Sequence, residues 1–160
     1  MLENFIFRGN IKILQYLVAR KDVSINEQDK QGCTPLILGA VYNNSVCVSL
    51  LLKGGASVFR KDKLSQNVLH KAAKEGSMEV VDTINNFLKK MHEEQFYKHR
   101  MGILMCQGDV RGNTPLMLAL DSVITGNTLS CLLEIDKNLG LKLIYQRNAM
   151  NETPLHRACR

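Results

Sequence analysis

The sequence predicts an all-α fold in which helix-turn-helix units, joined by short hairpin loops, stack into a solenoid. All three prolines of this 160-residue chain stand in the same phrase, Thr-Pro-Leu, at residues 34–36, 114–116 and 153–155. A fourth copy of the phrase, without proline, begins at Asn67, which lies 33 residues after Thr34. Because a helix-breaking residue is confined to one recurring phrase, we expect an array of similar units.

Each copy of the phrase is suited to begin a helix. The Thr or Asn side chain can accept a hydrogen bond from a backbone N–H that a helix start leaves unpaired. Proline at the next position lacks an N–H that would have no partner there, and its fixed φ already suits a helix. The buried face of these first helices is expected to open with the leucine of each phrase: Leu36, Leu69, Leu116 and Leu155.

A second amphipathic helix is expected after each first helix. In the third unit Gly76 makes a tight turn, and residues 78–84 then place apolar side chains at helical spacing. Asn43 and residues 46–52 take the same places in the unit before it. Short polar Asp-x-x-Gly stretches, such as residues 109–112, are typical of turns and predict hairpin tips between units.

These helix starts predict about four repeats plus a partial fifth within one domain, residues 1–160. The units are expected at about residues 1–33, 34–66, 67–113, 114–152 and 153–160. The first unit should hold nearly both of its helices. The fifth stops inside its first helix and leaves Leu155 and Ala158 uncovered. Either the last residues fray or, as we favour, this is a segment of a longer protein.

Two intervals between helix starts exceed 33 residues. Asn67 and Thr114 are 47 residues apart, and we expect the excess to lengthen the second helix of the third unit as an insert near residues 89–106. If helical, 14 added residues would project roughly 20 Å. The smaller excess before Thr153 is expected to be divided between residues 121–128 and 136–143.

The repeated phrase resembles that of ankyrin-repeat proteins, whose signature is a Thr-Pro-Leu-His-x-Ala-Ala helix start in a unit of about 33 residues. The best copies are residues 153–158 and 67–73, and the resemblance covers nearly the whole chain. It implies that hairpin tips and the exposed side of each first helix line a concave groove that binds another protein.

Mapped onto this sequence, the resemblance implies two sets of partner-binding residues. The hairpin tips contribute Asp29, Lys30, Gln31, Lys61, Lys63, Asp109 and Arg111. The first helices contribute Leu38, Val41, Tyr42, Lys71, Lys74, Glu75, Leu118, Asp121 and Ser122. Four members of the second set are apolar where solvent is expected, so they either form a contact patch or pack on neighbouring helices.

The sequence favours a binding module over an enzyme. It contains no phosphate-binding glycine loop, no nucleophile elbow and no Cys/His spacing typical of a metal site. His70 and His156 belong to the helix-start phrase, for which the resemblance implies a structural role. We therefore expect no catalytic residue, no metal, no cofactor and no small-molecule substrate.

Charge and cysteine content bear on partner and compartment. The net charge is +6, but the basic clusters carry acidic neighbours, as solvated helix faces usually do. A protein partner is therefore expected, and nucleic acid is not. The five cysteines include no C-x-x-C pair, which favours a reduced, intracellular and cytoplasmic protein. No run of 18 apolar residues predicts a membrane span within this chain.

Three settings for a binding module stay open. The first is a free-standing or multidomain adaptor. In the second, residues 34–56, 67–70 and 153–160 resemble ankyrin-type transient receptor potential channels, a family with long amino-terminal arrays that contain irregular inserts. This chain would then be part of the cytoplasmic array of a membrane-associated cation channel. The third is an inhibitor of Rel-type transcription factors, which resembles this repeat count.

Overall fold

Regular structure is entirely helical in residues 10–20, 22–91, 93–122 and 126–160, which this computed structural model describes. The elements there are α1 (Ile11–Ala19), α2 (Pro35–Val41), α3 (Ser45–Lys53), α4 (Val68–Lys74), α5 (Met78–Met91), α6 (Glu94–Cys106), α7 (Pro115–Asp121), α8 (Gly126–Leu139), a 3₁₀ turn (Leu143–Tyr145) and α9 (Pro154–Ala158). The all-α prediction is confirmed. The first helix expected before α1 lies outside the described residues.

Each predicted first helix begins one residue after the Thr or Asn of its phrase. At α2 the Thr34 hydroxyl accepts a hydrogen bond from the Ile37 N–H at 3.3 Å. At α4 the Asn67 side-chain oxygen accepts one from the His70 N–H at 3.1 Å. These bonds pair backbone donors that a helix start would otherwise leave open, so the repeated phrase does mark helix starts.

The helices form two layers around one core. In the first-helix layer, α2 packs on α4, α4 on α7 and α7 on α9; in the other layer, α1 packs on α3, α3 on α5 and α5 on α8. Leu36, Leu69 and Leu116 are buried between the layers, as expected. Leu155, in the same place of the phrase, is 72% exposed; α9 packs against α7 and the 3₁₀ turn.

The expected extension of the second helix in the third unit is wrong. That helix, α5, ends at Met91, and the excess residues form the separate helix α6, which folds back against α5 and α7. The Tyr97 hydroxyl donates a hydrogen bond to the buried Asn85 side chain at 2.7 Å. Met101, Leu104 and Met105 are buried on the same side of α6. Because this apolar face can be covered only by packing, the helix lies on the stack and does not project from it.

One of the two segments expected to share the smaller excess, residues 136–143, forms the end of α8 and the turn after it. After α8, Gly140 and Lys142 adopt positive φ and the chain makes the 3₁₀ turn. The N–H of Leu143, whose side chain is buried, donates to the Asp136 carboxylate at 3.2 and 3.3 Å, which holds this turn against the end of α8. The other expected location, residues 121–128, includes residues 123–125, which lie outside the described part of the chain.

Two leucines of the repeated phrase offer a matched test of the packing. Leu69→Ala removes a fully buried side chain between the layers, and we expect the free energy of unfolding to fall by roughly 2–5 kcal/mol. Leu155→Ala makes the same chemical change at an exposed position, where an effect within about 0.5 kcal/mol is expected. Urea denaturation followed by circular dichroism measures both; equal losses would contradict this packing.

Candidate functional site

The hairpin tips repeat one hydrogen-bonded turn in four copies, at residues 29–32, 62–65, 109–112 and 148–151, which we call the first to fourth tip. In the third tip the Asp109 carboxylate accepts hydrogen bonds from the N–H groups of Arg111 and Asn113, both at 2.9 Å. The equivalent bonds measure 2.8 and 2.7 Å at Asp29, 2.9 and 2.8 Å at Asp62, and 3.0 and 2.9 Å at Asn148. One side-chain oxygen in each tip is therefore committed to shaping its own turn.

Neighbouring tips are joined by backbone hydrogen bonds. The N–H groups of Lys63, Val110 and Ala149 donate to the carbonyl oxygens of Gln31, Leu64 and Arg111, at 3.0, 3.0 and 2.9 Å respectively. The donor is always the second residue of a tip, and the acceptor is the third residue of the tip before it. The same bond thus occurs at each of the three junctions and fixes how far one tip is offset from the next.

The helix-start histidine of the third unit also links two units. His70 is buried at the start of α4, where its Nδ1 accepts a hydrogen bond from the Asn67 N–H at 3.2 Å. Its Nε2 lies 3.0 Å from the carbonyl oxygen of Asn113, so Nε2 carries the proton of the neutral ring. Burial lowers the pKa of His70 from 6.5 to about 4, although the bond to Asn113 acts in the opposite direction. This histidine is therefore a neutral packing group.

A groove of about 300 Å³ lies between the second and third tips and the ends of the first helices. It is lined by Leu64, Gln66, Lys74, Asp109, Val110, Arg111, Asn113, Leu118, Asp121 and Arg157. No lining residue comes from a second helix. The groove therefore brings together five of the residues that the sequence nominated for partner binding: Lys74, Asp109, Arg111, Leu118 and Asp121.

Five groove residues were missed by the sequence reasoning: Leu64, Gln66, Val110, Asn113 and Arg157. Leu64 and Val110 lie at the tips and are 52% and 59% exposed. Turn positions usually carry polar residues or glycine. An aliphatic side chain at such a position was therefore the sequence signal that could have marked Leu64 and Val110 as candidate binding residues. Met150 repeats the feature in the fourth tip, where it too is exposed.

Ion pairs occupy some of the charged groups near the groove. Asp121 pairs with the buried guanidinium of Arg157. Lys71 lies 2.7 Å from the carboxylate of the buried Asp62 in the second tip. Asp121 and Lys71 were both nominated for partner binding, and both charges are already compensated within the protein.

The remaining nominated residues do not line the groove. Lys30, Gln31, Tyr42, Lys63 and Glu75 are exposed, whereas Asp29, Leu38, Val41, Lys61 and Ser122 are partly buried. Leu38 packs against the core. Leu118 is only 8% exposed, so it follows the second of the two alternatives and is packed within the protein, with part of its side chain lining the groove.

The approach of the third and fourth tips can be tested with two glycines of positive φ. Gly112 has φ 75°, and a Cβ there would lie 2.8 Å from the Ala149 nitrogen. Gly140 has φ 66°, and a Cβ there meets nothing within 4 Å. Since both substitutions to alanine share the cost of positive φ, roughly 1 kcal/mol, the Gly112→Ala variant should lose more stability than Gly140→Ala in thermal unfolding. Equal losses would mean that the tips are not in close contact.

The buried histidine predicts a pH dependence of stability. Because its pKa is about 4 in the folded protein and 6.5 in the unfolded chain, the unfolded chain binds more protons between these values. The contribution of His70 is therefore complete above pH 6.5 and declines as the pH falls toward 4, by up to about 3 kcal/mol. Urea unfolding from pH 7 to 4 should show a shallower dependence for His70→Gln than for His156→Gln, which replaces an exposed histidine. Identical profiles would contradict the buried, neutral state of His70.

The described residues contain no group of three or more His, Cys, Asp or Glu side chains that could hold a metal ion. Among the same residues, every helix is too short or too polar to cross a membrane. Comparison with known proteins then identifies the architecture.

A family model described as ankyrin repeats in three copies matches residues 2–90, more than half of the chain. The chain is 30% identical over 114 residues to the transient receptor potential cation channel subfamily A member 1 of Homo sapiens. The matched region covers 71% of the chain and 10% of that relative. It is 29% identical over 134 residues to the nuclear factor NF-kappa-B p105 subunit of Gallus gallus, covering 84% of the chain and 12% of the relative. A third relative, ankyrin repeat domain-containing protein SAT10 of Stachybotrys chartarum, is 41% identical over 71 residues, 44% of the chain and 4% of the relative.

The chain thus spans between 4% and 12% of the length of these relatives. The family model agrees with the capped first helices, the paired second helices and the recurring hairpin tips. This protein belongs to the ankyrin-repeat family, whose repeats are generally protein-interaction modules.

Proposed function

We propose that this chain is a non-enzymatic module that binds a protein partner through its hairpin tips and the concave face of its first helices. The observation that carries the proposal is the groove between the second and third tips. Five nominated residues and two exposed aliphatic side chains converge there. The partner segment would lie along the tips and insert apolar side chains between them.

The apolar part of this contact has a definite location. Leu64, Val110 and Met150 are exposed in three successive tips, and the backbone bonds between tips hold them in a fixed order. Burying apolar surface stabilises a complex by roughly 25 cal/mol per Å². A row of exposed aliphatic groups on a rigid support is the kind of surface that protein partners cover.

The proposed absence of catalysis is supported by the state of the histidines in the repeated phrase. Both ring nitrogens of His70 are engaged in packing contacts. The Nδ1 of His156 lies 2.7 Å from the Thr153 hydroxyl at the start of α9. The Nδ1 of each ring accepts from the backbone N–H of its own helix start, Asn67 or Thr153, and so caps that helix.

For the larger setting we propose an intracellular, cytoplasmic adaptor. An alternative is a segment of the cytoplasmic amino-terminal array of a cation channel, which the similarity to the human channel supports; such a segment would be membrane-associated through domains outside this chain. A second alternative is an inhibitor of Rel-type transcription factors, supported by the similarity to the p105 subunit.

Transcript sequence beyond Arg160 separates these settings. Six apolar segments of about 20 residues would identify the channel. Two further repeats followed by a stop codon would leave the adaptor and the inhibitor. Binding to a purified Rel-type factor then distinguishes these two.

Selection from a library of displayed random 12-residue peptides tests the proposed groove. Peptides enriched on the wild-type protein should bind Leu64→Ser/Val110→Ser about tenfold or more weakly, because each substitution removes an aliphatic contact. The matched control, Val46→Ser/Leu133→Ser, changes exposed aliphatic residues on the second helices and should bind as wild type. Fluorescence anisotropy measures each Kd.

Either of two results would overturn the proposal. One is the enrichment of no peptide at all. The other is enrichment of peptides whose binding survives the groove substitutions and is lost in the control variant, since the contact would then lie on the second helices.

A further inference from the structure

The groove, the hairpin tips and the ends of the first helices beside it are together called the groove face. On this face the negative and positive side chains differ in how many are paired within the protein. Its carboxylates are mostly engaged by groups of the protein itself, whereas several of its cations have no partner among the described residues. This inequality bears on which protein segments the groove would accept, and the inference from it rests on the proposed function.

The carboxylates of the groove face are held from more than one side. Asp62 accepts two hydrogen bonds from the amides of its tip and pairs with Lys71. Asp109 accepts two from its own tip through one oxygen and, through the other, one from the Gln66 side chain at 3.2 Å. Burial acts to raise the pKa of Asp109, but the hydrogen bonds from Asn113, Gln66 and Arg111 outweigh it and lower the pKa. Each carboxylate has therefore little capacity left for a partner.

Asp121 completes the acidic part of the groove. Its carboxylate pairs with Arg157, whose guanidinium is also near Glu152. The pair is internal to the first-helix layer, since Asp121 ends α7 and Arg157 belongs to α9. It presents almost no net charge to a partner.

The cations differ in being exposed and unpaired. Lys74 ends α4 and Arg111 is the third residue of the third tip; both line the groove, and neither forms an ion pair with any described residue. Lys63 in the second tip and Lys30 in the first tip are also exposed, and neither forms an ion pair with a described residue. Glu75, the residue directly after α4, is an exposed carboxylate whose negative charge partly offsets the positive charge of these cations. Glu27 lies two residues before the first tip and Arg60 two residues before the second tip. Their opposite charges add nothing to the net charge of this surface.

We infer that the groove takes an acidic protein segment, one in which aspartate or glutamate residues alternate with aliphatic side chains. The carboxylates would pair with Arg111 and Lys74, and the aliphatic groups would cover Leu64 and Val110. Arg111 suits this role because its planar guanidinium can hold a carboxylate with two parallel hydrogen bonds. Because these cations are exposed in the unbound protein, pairing them requires little desolvation.

The composition of the groove favours such a segment over a nucleic acid. Its lining includes exposed Leu64 and Val110 but no aromatic side chain, and binding of single strands draws much of its free energy from bases stacked on aromatic rings. A basic surface of this kind also accelerates encounter with an acidic partner and makes binding salt-dependent.

The peptides selected on the wild-type protein test the inference through their composition and their response to charge reversal. We expect enriched peptides to carry at least two acidic residues beside aliphatic ones. The Kd of a synthetic copy should rise about tenfold or more in Lys74→Glu/Arg111→Glu, measured at 0.1 M salt. It should also rise when wild type is measured at 0.5 M salt.

The matched control is Lys12→Glu/Lys137→Glu, which makes the same change in net charge on the second helices. Lys137 lies in the last turn of its helix, as Lys74 does, and Lys12 is exposed, as Arg111 is. The control should leave the Kd within about twofold of wild type. Similar losses in both variants would mean that overall charge governs binding, which would overturn the inference.

Two further outcomes separate this inference from the proposed function. Neutral or basic peptides that bind the wild type and are weakened by Leu64→Ser/Val110→Ser would overturn the inference and leave the groove as the binding site. An oligothymidine of 12 nucleotides that binds more tightly than every selected peptide, and loses binding in Lys74→Glu/Arg111→Glu, would assign the cations to nucleic acid. Absence of any groove-dependent peptide would overturn both proposals.

Discussion

The backbone hydrogen bond between neighbouring hairpin tips is the constraint on which this structure depends. Each tip is first shaped by an Asp or Asn side chain that accepts two of its amides. The turn then places one N–H against the preceding tip and one C=O against the following tip. The glycine of the third tip permits this approach, because a Cβ at Gly112 would overlap the backbone of the fourth tip. Helix packing alone would align the units less closely, since apolar contacts are not directional.

This constraint determines which side chains remain for recognition. In each tip the aspartate or asparagine is used internally, and the backbone is used between units, so the second and third residues of the tip supply the outward chemistry. In the second and third tips these residues are Lys63, Leu64, Val110 and Arg111. The first helices add Lys74 at the groove. The charges of Asp62 and Lys71, and those of Asp121 and Arg157, are neutralised by pairing within the protein. A basic and aliphatic groove is the result.

Local sequence was sufficient for features that depend on local chemistry. The helix starts at Thr34, Asn67, Thr114 and Thr153 were predictable because capping involves residues within one turn. The path of α6 was not predictable from local sequence. It depends on the hydrogen bond between Tyr97 and Asn85 and on the burial of Met101 against other helices. The spacing of Tyr97, Met101, Leu104 and Met105 on one face was the available signal for a packed helix, and it was not used in the sequence-based prediction. At the proposed site, the pairing of Lys71 with Asp62 and the burial of Leu118 were not predictable from local sequence, because they depend on neighbouring units.

Amide hydrogen exchange at the tips, followed by nuclear magnetic resonance, tests the central constraint most directly. Lys30, Lys63, Val110 and Ala149 are the second residues of the four tips. Of these four N–H groups, that of Lys30 alone has no acceptor among the described residues. After correction for intrinsic rates, the amides of Lys63, Val110 and Ala149 should exchange about tenfold or more slowly than that of Lys30. Exchange at all four positions with the same rate would show that the tips are not bonded to one another, and the account of the groove would fail with them.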